Sequence, residues 1–103
     1  RVNMIVVNLD SVIEAPMSTL SLSEIMSSLE WPDNATCATQ EIDGEILFWS
    51  CPVKDVELAR MNADRESGLM PLLGISNQVD SQYTDVDMPE IAYDWQSAVV
   101  IKE

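Results

Sequence analysis

The chain has 103 residues, enough for one domain, and 47% of them are hydrophobic, which supplies a core and excludes a disordered acidic tail. Eighteen acids face five bases with no histidine, a formal charge of −13, so the surface repels nucleic acid and anionic membrane and speeds encounter with basic partners. The lack of histidine removes His-based triads and His-ligated zinc, and no apolar run reaches the roughly 18 residues of a membrane span.

Residues 3–13, NMIVVNLDSVI, are rich in β-branched side chains and read as a first strand. Residues 21–31 read as a helix, because Leu22, Ile25, Met26 and Leu29 recur at i, i+3, i+4 and i+7. Ser21 with Glu24 makes a capping box before it, and Pro32 ends it. ATCATQEI and EILFWSC then flank Asp43-Gly44, the strongest short hairpin signal. The second arm puts Leu47, Trp49 and Cys51 on one face and Ile46, Phe48 and Ser50 on the other; a strand apolar on both faces belongs inside a sheet.

The loop length decides what the two cysteines face. A two-residue loop sets Cys37 opposite Ser50, with the thiols on opposite faces. A one-residue change sets Cys37 opposite Cys51, within reach of a disulfide. Two reduced, buried thiols are the favoured reading. Asn34-Ala35-Thr36 has the letters of a glycosylation sequon and reads as a turn.

Residues 53–66 read as a second helix ended by Ser67-Gly68 and carrying Lys54, Arg60 and Arg65. Residues 68–80 hold two glycines and a proline among apolar residues, and read as a short strand or a packed loop; 95–103 read as a closing strand. The expected architecture is α+β, an antiparallel sheet of four or five strands with two helices packed on it in β-α-β-β-α-β order, as a single domain over residues 1–103.

No catalytic constellation stands out. Cys37 and Cys51 are spaced for neither a metal site nor a redox pair, no glycine loop cradles phosphate, and nothing in the spacing selects a working carboxylate pair. No enzyme activity, cofactor or metal is therefore expected. Asp85 to Glu90 lacks the third ligand and turn glycine of a calcium loop and reads as a solvated acidic loop. Glu41/Asp43/Glu45 and Asp85/Asp87 have i, i+2 spacing, about 6.7 Å in a strand, close to the phosphate separation along one DNA strand. Alternating acids are also ordinary on surface strands.

Three stretches resemble the phage uracil-DNA glycosylase inhibitors, small acidic proteins that occupy the enzyme's DNA groove by mimicking its substrate. In VVNLDSVIEAP, Asp10, Ser11, Val12 and Pro16 fit the family's first strand; EILFWSC is similar to its acid-Ile-Leu inner strand. In DMPEIAYDWQSAVVI, Asp87, Pro89, Glu90, Trp95, Ala98, Val100 and Ile101 are similar to its Asp-x-Pro-Glu turn, Trp and closing strand. The chain departs from the family in having Met17 and Ser18 where acids follow the proline, and Glu14 in place of an apolar pocket residue. It also lacks the family's first helix and is longer up to residue 80.

The resemblance implies a monomer that forms a 1:1 complex with a basic DNA-binding enzyme, uracil-DNA glycosylase above all, in the cytoplasm (the host's, if phage-encoded). Asp10, Ser11, Val12 and Ile13 would form the edge inserted toward the enzyme, with Glu14 and Glu24 in place of the missing acid. Leu22, Met26 and the Met17 turn would receive an apolar side chain of the enzyme. Two other readings fit the composition: an immunity or antitoxin protein capping a basic toxin nuclease, and an assembly module whose acidity serves only solubility.

Overall fold

The structure, a computed structural model, describes residues 17–85 and 89–102. The expected first strand at 3–13 lies outside the described residues. Within them the chain runs through helix α1 (Leu22–Ile25), strands β1 (Cys37–Gln40) and β2 (Ile46–Trp49), helices α2 (Val53–Asn62) and α3 (Met70–Leu73), and strands β3 (Gln78–Gln82) and β4 (Val100–Ile101). The strands form an antiparallel sheet in the order β3-β2-β1-β4, with helices packed against it. The expected α+β class is the one observed.

β2 is interior and buried along its whole length, as its two apolar faces require. Ile46 and Phe48 point into one cluster with Leu22, Ile25, Met26, Ile91, Ala92 and Trp95. Leu47 and Trp49 point into the other, with Val56, Ala59 and Leu69. Both faces of the sheet are thus covered. The indole of Trp49, fully buried, donates to Thr39 Oγ1 at 2.9 Å, so its polar edge is not stranded.

Several elements are shorter than expected. The capping box at Ser21 and Glu24 forms, but α1 completes one turn before a 3₁₀ turn at Met26–Ser28. Ser27 Oγ donates to the Glu24 carbonyl at 2.8 Å, drawing on an acceptor of the helix backbone. α2 stops at Asn62, whose side chain donates to the Leu58 carbonyl at 2.8 Å, and Ala63 is extended. The expected closing strand begins late: residues 94–98 turn on hydrogen bonds from Ser97 and Ala98 N–H to the Asp94 carbonyl, and only Val100 and Ile101 pair with β1. In the stretch read as a strand or packed loop, α3 forms with Pro71 in its first turn, where the missing N–H costs no intrahelical bond.

The hairpin register differs from both loop lengths weighed above. Cys37 pairs with Trp49 and Gln40 with Ile46. Glu41 N–H reaches the Glu45 carbonyl at 2.8 Å and Gly44 N–H the Glu41 carbonyl at 2.9 Å, leaving Ile42, Asp43 and Gly44 as a three-residue loop with Gly44 at φ 95°. Ile42 is buried in the first cluster, which favours the longer loop. Cys37 and Cys51 consequently share a face and a cluster while staying out of direct register, both as free thiols. Burial pushes both thiols up, with Thr36 as a hydrogen-bond partner opposing this at Cys37.

Candidate partner-binding surface

The hairpin loop and the chain after β3 meet at one end of the sheet. Antiparallel pairing of Ile46 with Gln82 carries residues 83–85 past the loop. There Tyr83 donates its hydroxyl to Asp43 Oδ2 at 2.9 Å, while Asp43 Oδ1 accepts Glu45 N–H at 3.0 Å. Gln40, wholly buried, joins the next segment: its Nε2 donates to the carbonyls of Gly44 (3.0 Å) and Glu90 (2.8 Å), and its Oε1 accepts Ala92 N–H (2.8 Å). Glu90 N–H in turn reaches Thr84 Oγ1 at 3.2 Å. One end of the sheet therefore carries Glu41, Asp43, Glu45, Asp85 and Glu90.

These carboxylates have different surroundings. Glu41 is half-buried and turned inward, where a methyl group on Gly68 would overlap its Oε1. Burial raises its pKa, while Arg60 and the Leu69 N–H pull the other way. Asp43 and Glu45 are half-buried, and Asp85 and Glu90 are exposed. Tyr83 records their field: burial, then the hydrogen bond to Asp43 and the charges of Asp43 and Glu45, push its phenol up to about 12. The even 6.7 Å spacing expected for Glu41, Asp43 and Glu45 does not occur, because the three flank and form a turn. Asp87, the other member of the Asp85 row, lies outside the described residues.

The segments that carry these acids hold no base of their own. Neither 41–45 nor 80–94 contains Lys or Arg. Lys102 Nζ donates to the carbonyls of Pro32 (2.8 Å) and Asp33 (2.9 Å). Arg60 is buried, with Nη1 on the carbonyls of Gln40 (3.0 Å) and Trp95 (3.5 Å) and its guanidinium 5.6 Å from the Trp95 ring centre. Desolvation lowers its pKa, against the pull of Glu41. Two of the five bases are thus committed to backbone carbonyls.

The residues singled out from sequence do not form one surface. Asp10, Ser11, Val12, Ile13 and Glu14 lie outside the described residues. Met17 and Leu22 come together against the 91–94 segment: Met17 bridges Ile91, Ser18 N–H reaches the Ile91 carbonyl at 2.7 Å, Tyr93 N–H reaches the Leu20 carbonyl, and Asp94 Oδ1 accepts Leu22 N–H at 2.9 Å. The expectation that Leu22 and Met26 face a partner is corrected. They are 0% and 3% exposed, because the helical stripe they form is the one that packs on the sheet. Met17 stays open at 64%, beside exposed Leu20 and Tyr93. Glu24 is tied to the Ser21 N–H at 2.9 Å, which lowers its pKa.

None of the residues at the acidic end was marked as partner-binding in the sequence: Glu41, Asp43, Glu45 and Asp85 stood out only for their spacing, and Tyr83 and Glu90 not for that. Their convergence depends on β2–β3 pairing and on Gln40, neither of which has a local sequence signal. Among the described residues no three His, Cys, Asp or Glu side chains are grouped to hold a metal ion, and no helix is long and apolar enough to cross a membrane. No protein-family model, curated protein or solved structure matches the chain.

Proposed function

We propose that the protein is a non-enzymatic acidic inhibitor that occupies the DNA-binding groove of a DNA-processing enzyme, with uracil-DNA glycosylase as the specific partner. The observation that carries this reading is the convergence of Asp43, Glu45, Asp85 and Glu90 on one end of the sheet, in segments without a base. Carboxylates held on a folded edge offer a basic groove fixed charges where it would otherwise hold phosphates. Gln40 and the Tyr83–Asp43 hydrogen bond hold the segments that carry them, so less freedom is lost on binding. The glycosylase enters through the likeness of residues 6–16, 45–51 and 87–101 to its phage inhibitors.

The test is uracil excision by a bacterial glycosylase at about 150 mM salt, titrated with this protein. Stoichiometric loss of excision is expected. Asp43→Lys with Glu45→Lys, and separately Asp10→Lys, should each weaken inhibition by far more than the ~1 kcal/mol of an exposed ion pair. Full excision at large excess would remove the glycosylase as partner. Charge reversals without effect would move the interface elsewhere.

A further inference from the structure

Nothing in their spacing along the chain marks Cys37 and Cys51 as partners, but the fold brings them together. Cys37 is opposite Trp49 in the last rung of the β1–β2 ladder, and Cys51 follows two residues later. Both pack in the cluster that holds Leu47, Trp49 and Val56. The Thr36 side chain stands between them. Its Oγ1 is 3.6 Å from Cys37 Sγ, 3.2 Å from the Trp49 carbonyl and 2.5 Å from the Cys51 carbonyl, so one hydroxyl draws the chain beyond β2 toward β1. The thiols are near enough for charge on Cys51 to help raise the pKa of Cys37.

The two thiols differ in access. Cys37 has no exposed surface, whereas Cys51 is 9% exposed and forms part of the wall of an open groove of about 420 Å³ between α2 and α3. Diagonal neighbours in an antiparallel pair lie about 7–8 Å apart, and a disulfide spans about 4.4–6.8 Å between Cα atoms. Closing the bond therefore asks for a movement on the order of an ångström. Cys51 can supply it, because it lies in a bend past the last rung, outside strand and helix, while Cys37 is fixed in β1.

We propose that Cys37 and Cys51 are an oxidation site, which a small disulfide such as oxidised glutathione converts into an intramolecular bridge that staples the hairpin behind its acidic loop. The Cys51 thiolate attacks one sulfur of the small disulfide, releases one small thiol and keeps the other half as a mixed disulfide. The Cys37 thiolate then attacks Cys51 Sγ and expels the second small thiol. Two protein thiols give up two electrons and two protons, and the small disulfide takes them up as two thiols. The ring closed in this way holds the whole β1–β2 hairpin, Asp43 and Glu45 included. The site is separate from the acidic end and stands whichever partner that end meets.

The test exposes the folded protein to oxidised glutathione, quenches with acid, alkylates the unfolded chain and reads its intact mass. The expected product is a monomer lighter by two hydrogens, with neither thiol alkylated and one cross-linked peptide pair joining Cys37 to Cys51. Its urea midpoint should rise by about 1 M or more, because the bridge restricts the unfolded chain across residues 37–51, and should fall back on reduction. Cys37→Ala should hold glutathione on Cys51 as a stable mixed disulfide. Cys51→Ala should take it up at least about tenfold more slowly, since Cys37 is enclosed. Glutathione that stays on the unaltered protein, a disulfide-linked dimer, or two thiols still open to alkylation when the urea-unfolded chain has closed under the same oxidant would each overturn the proposal. So would a bridged protein with an unchanged urea midpoint.

Discussion

Gln40 does more than its place in a strand requires. It has no exposed surface, yet its amide satisfies three backbone groups on two separate segments, at Gly44, Glu90 and Ala92. Gln40→Met keeps the bulk and removes every one of those partners. With a cost of about 1–3 kcal/mol for each buried group left unpaired, the expected loss is about 3 kcal/mol or more, measured by urea denaturation. A loss below about 1 kcal/mol would mean that the 90–92 segment settles on other partners. Arg60 presents the opposite case. Its Nε and Nη2, like Glu41 Oε2, make no hydrogen bond among the described residues, so this buried charge contributes less to stability than its enclosure suggests.

At the scale of elements, the loop between β1 and β2 and the chain leaving β3 are pinned by one hydroxyl. Tyr83 keeps its proton up to about pH 12 in the folded protein, against about 10 in an unfolded chain. Because the folded value is raised, its stabilising contribution is complete below pH 10 and is lost between pH 10 and about 12. With Tyr93→Phe as background, the phenolate absorbance of Tyr83 should rise near pH 12, and Asp43→Asn should bring that midpoint back toward 10. An unchanged midpoint would separate the phenol from Asp43. Much of this region was legible in the sequence: Asp43-Gly44 marked the hairpin, Ser21 and Glu24 marked the cap, and the two apolar faces of residues 46–49 marked an interior strand. The loop length was not, since it turns on Ile42 burying itself in a cluster built from distant residues. Nor was α3, because Pro71 carries the same letter whether it breaks a helix or opens one. The acidic end was half legible: the acids were plain, but the pairing that gathers them is long-range.

At the scale of the whole molecule, a charge of −13 works against compactness. Raising salt from about 0.01 to 0.5 M shortens the Debye length from about 30 Å to some 4–5 Å, and the thermal midpoint should climb on the order of 5 °C, equivalent to about 1 kcal/mol for a domain this size. A flat response would place the acids in local hydrogen bonds that already offset their repulsion. The order β3-β2-β1-β4 has a consequence for the protein's birth. During synthesis the β1–β2 hairpin emerges early, but the cover for Ile46 and Phe48 includes Ile91, Ala92 and Trp95, and β1 gains its last neighbour only with Val100 and Ile101. Until those residues leave the ribosome, the nascent hairpin has Leu22, Ile25 and Met26 over one apolar face but none of its later cover, and leaves the acceptors of an unfinished acidic tip in water, which is the window in which a chaperone would hold the chain.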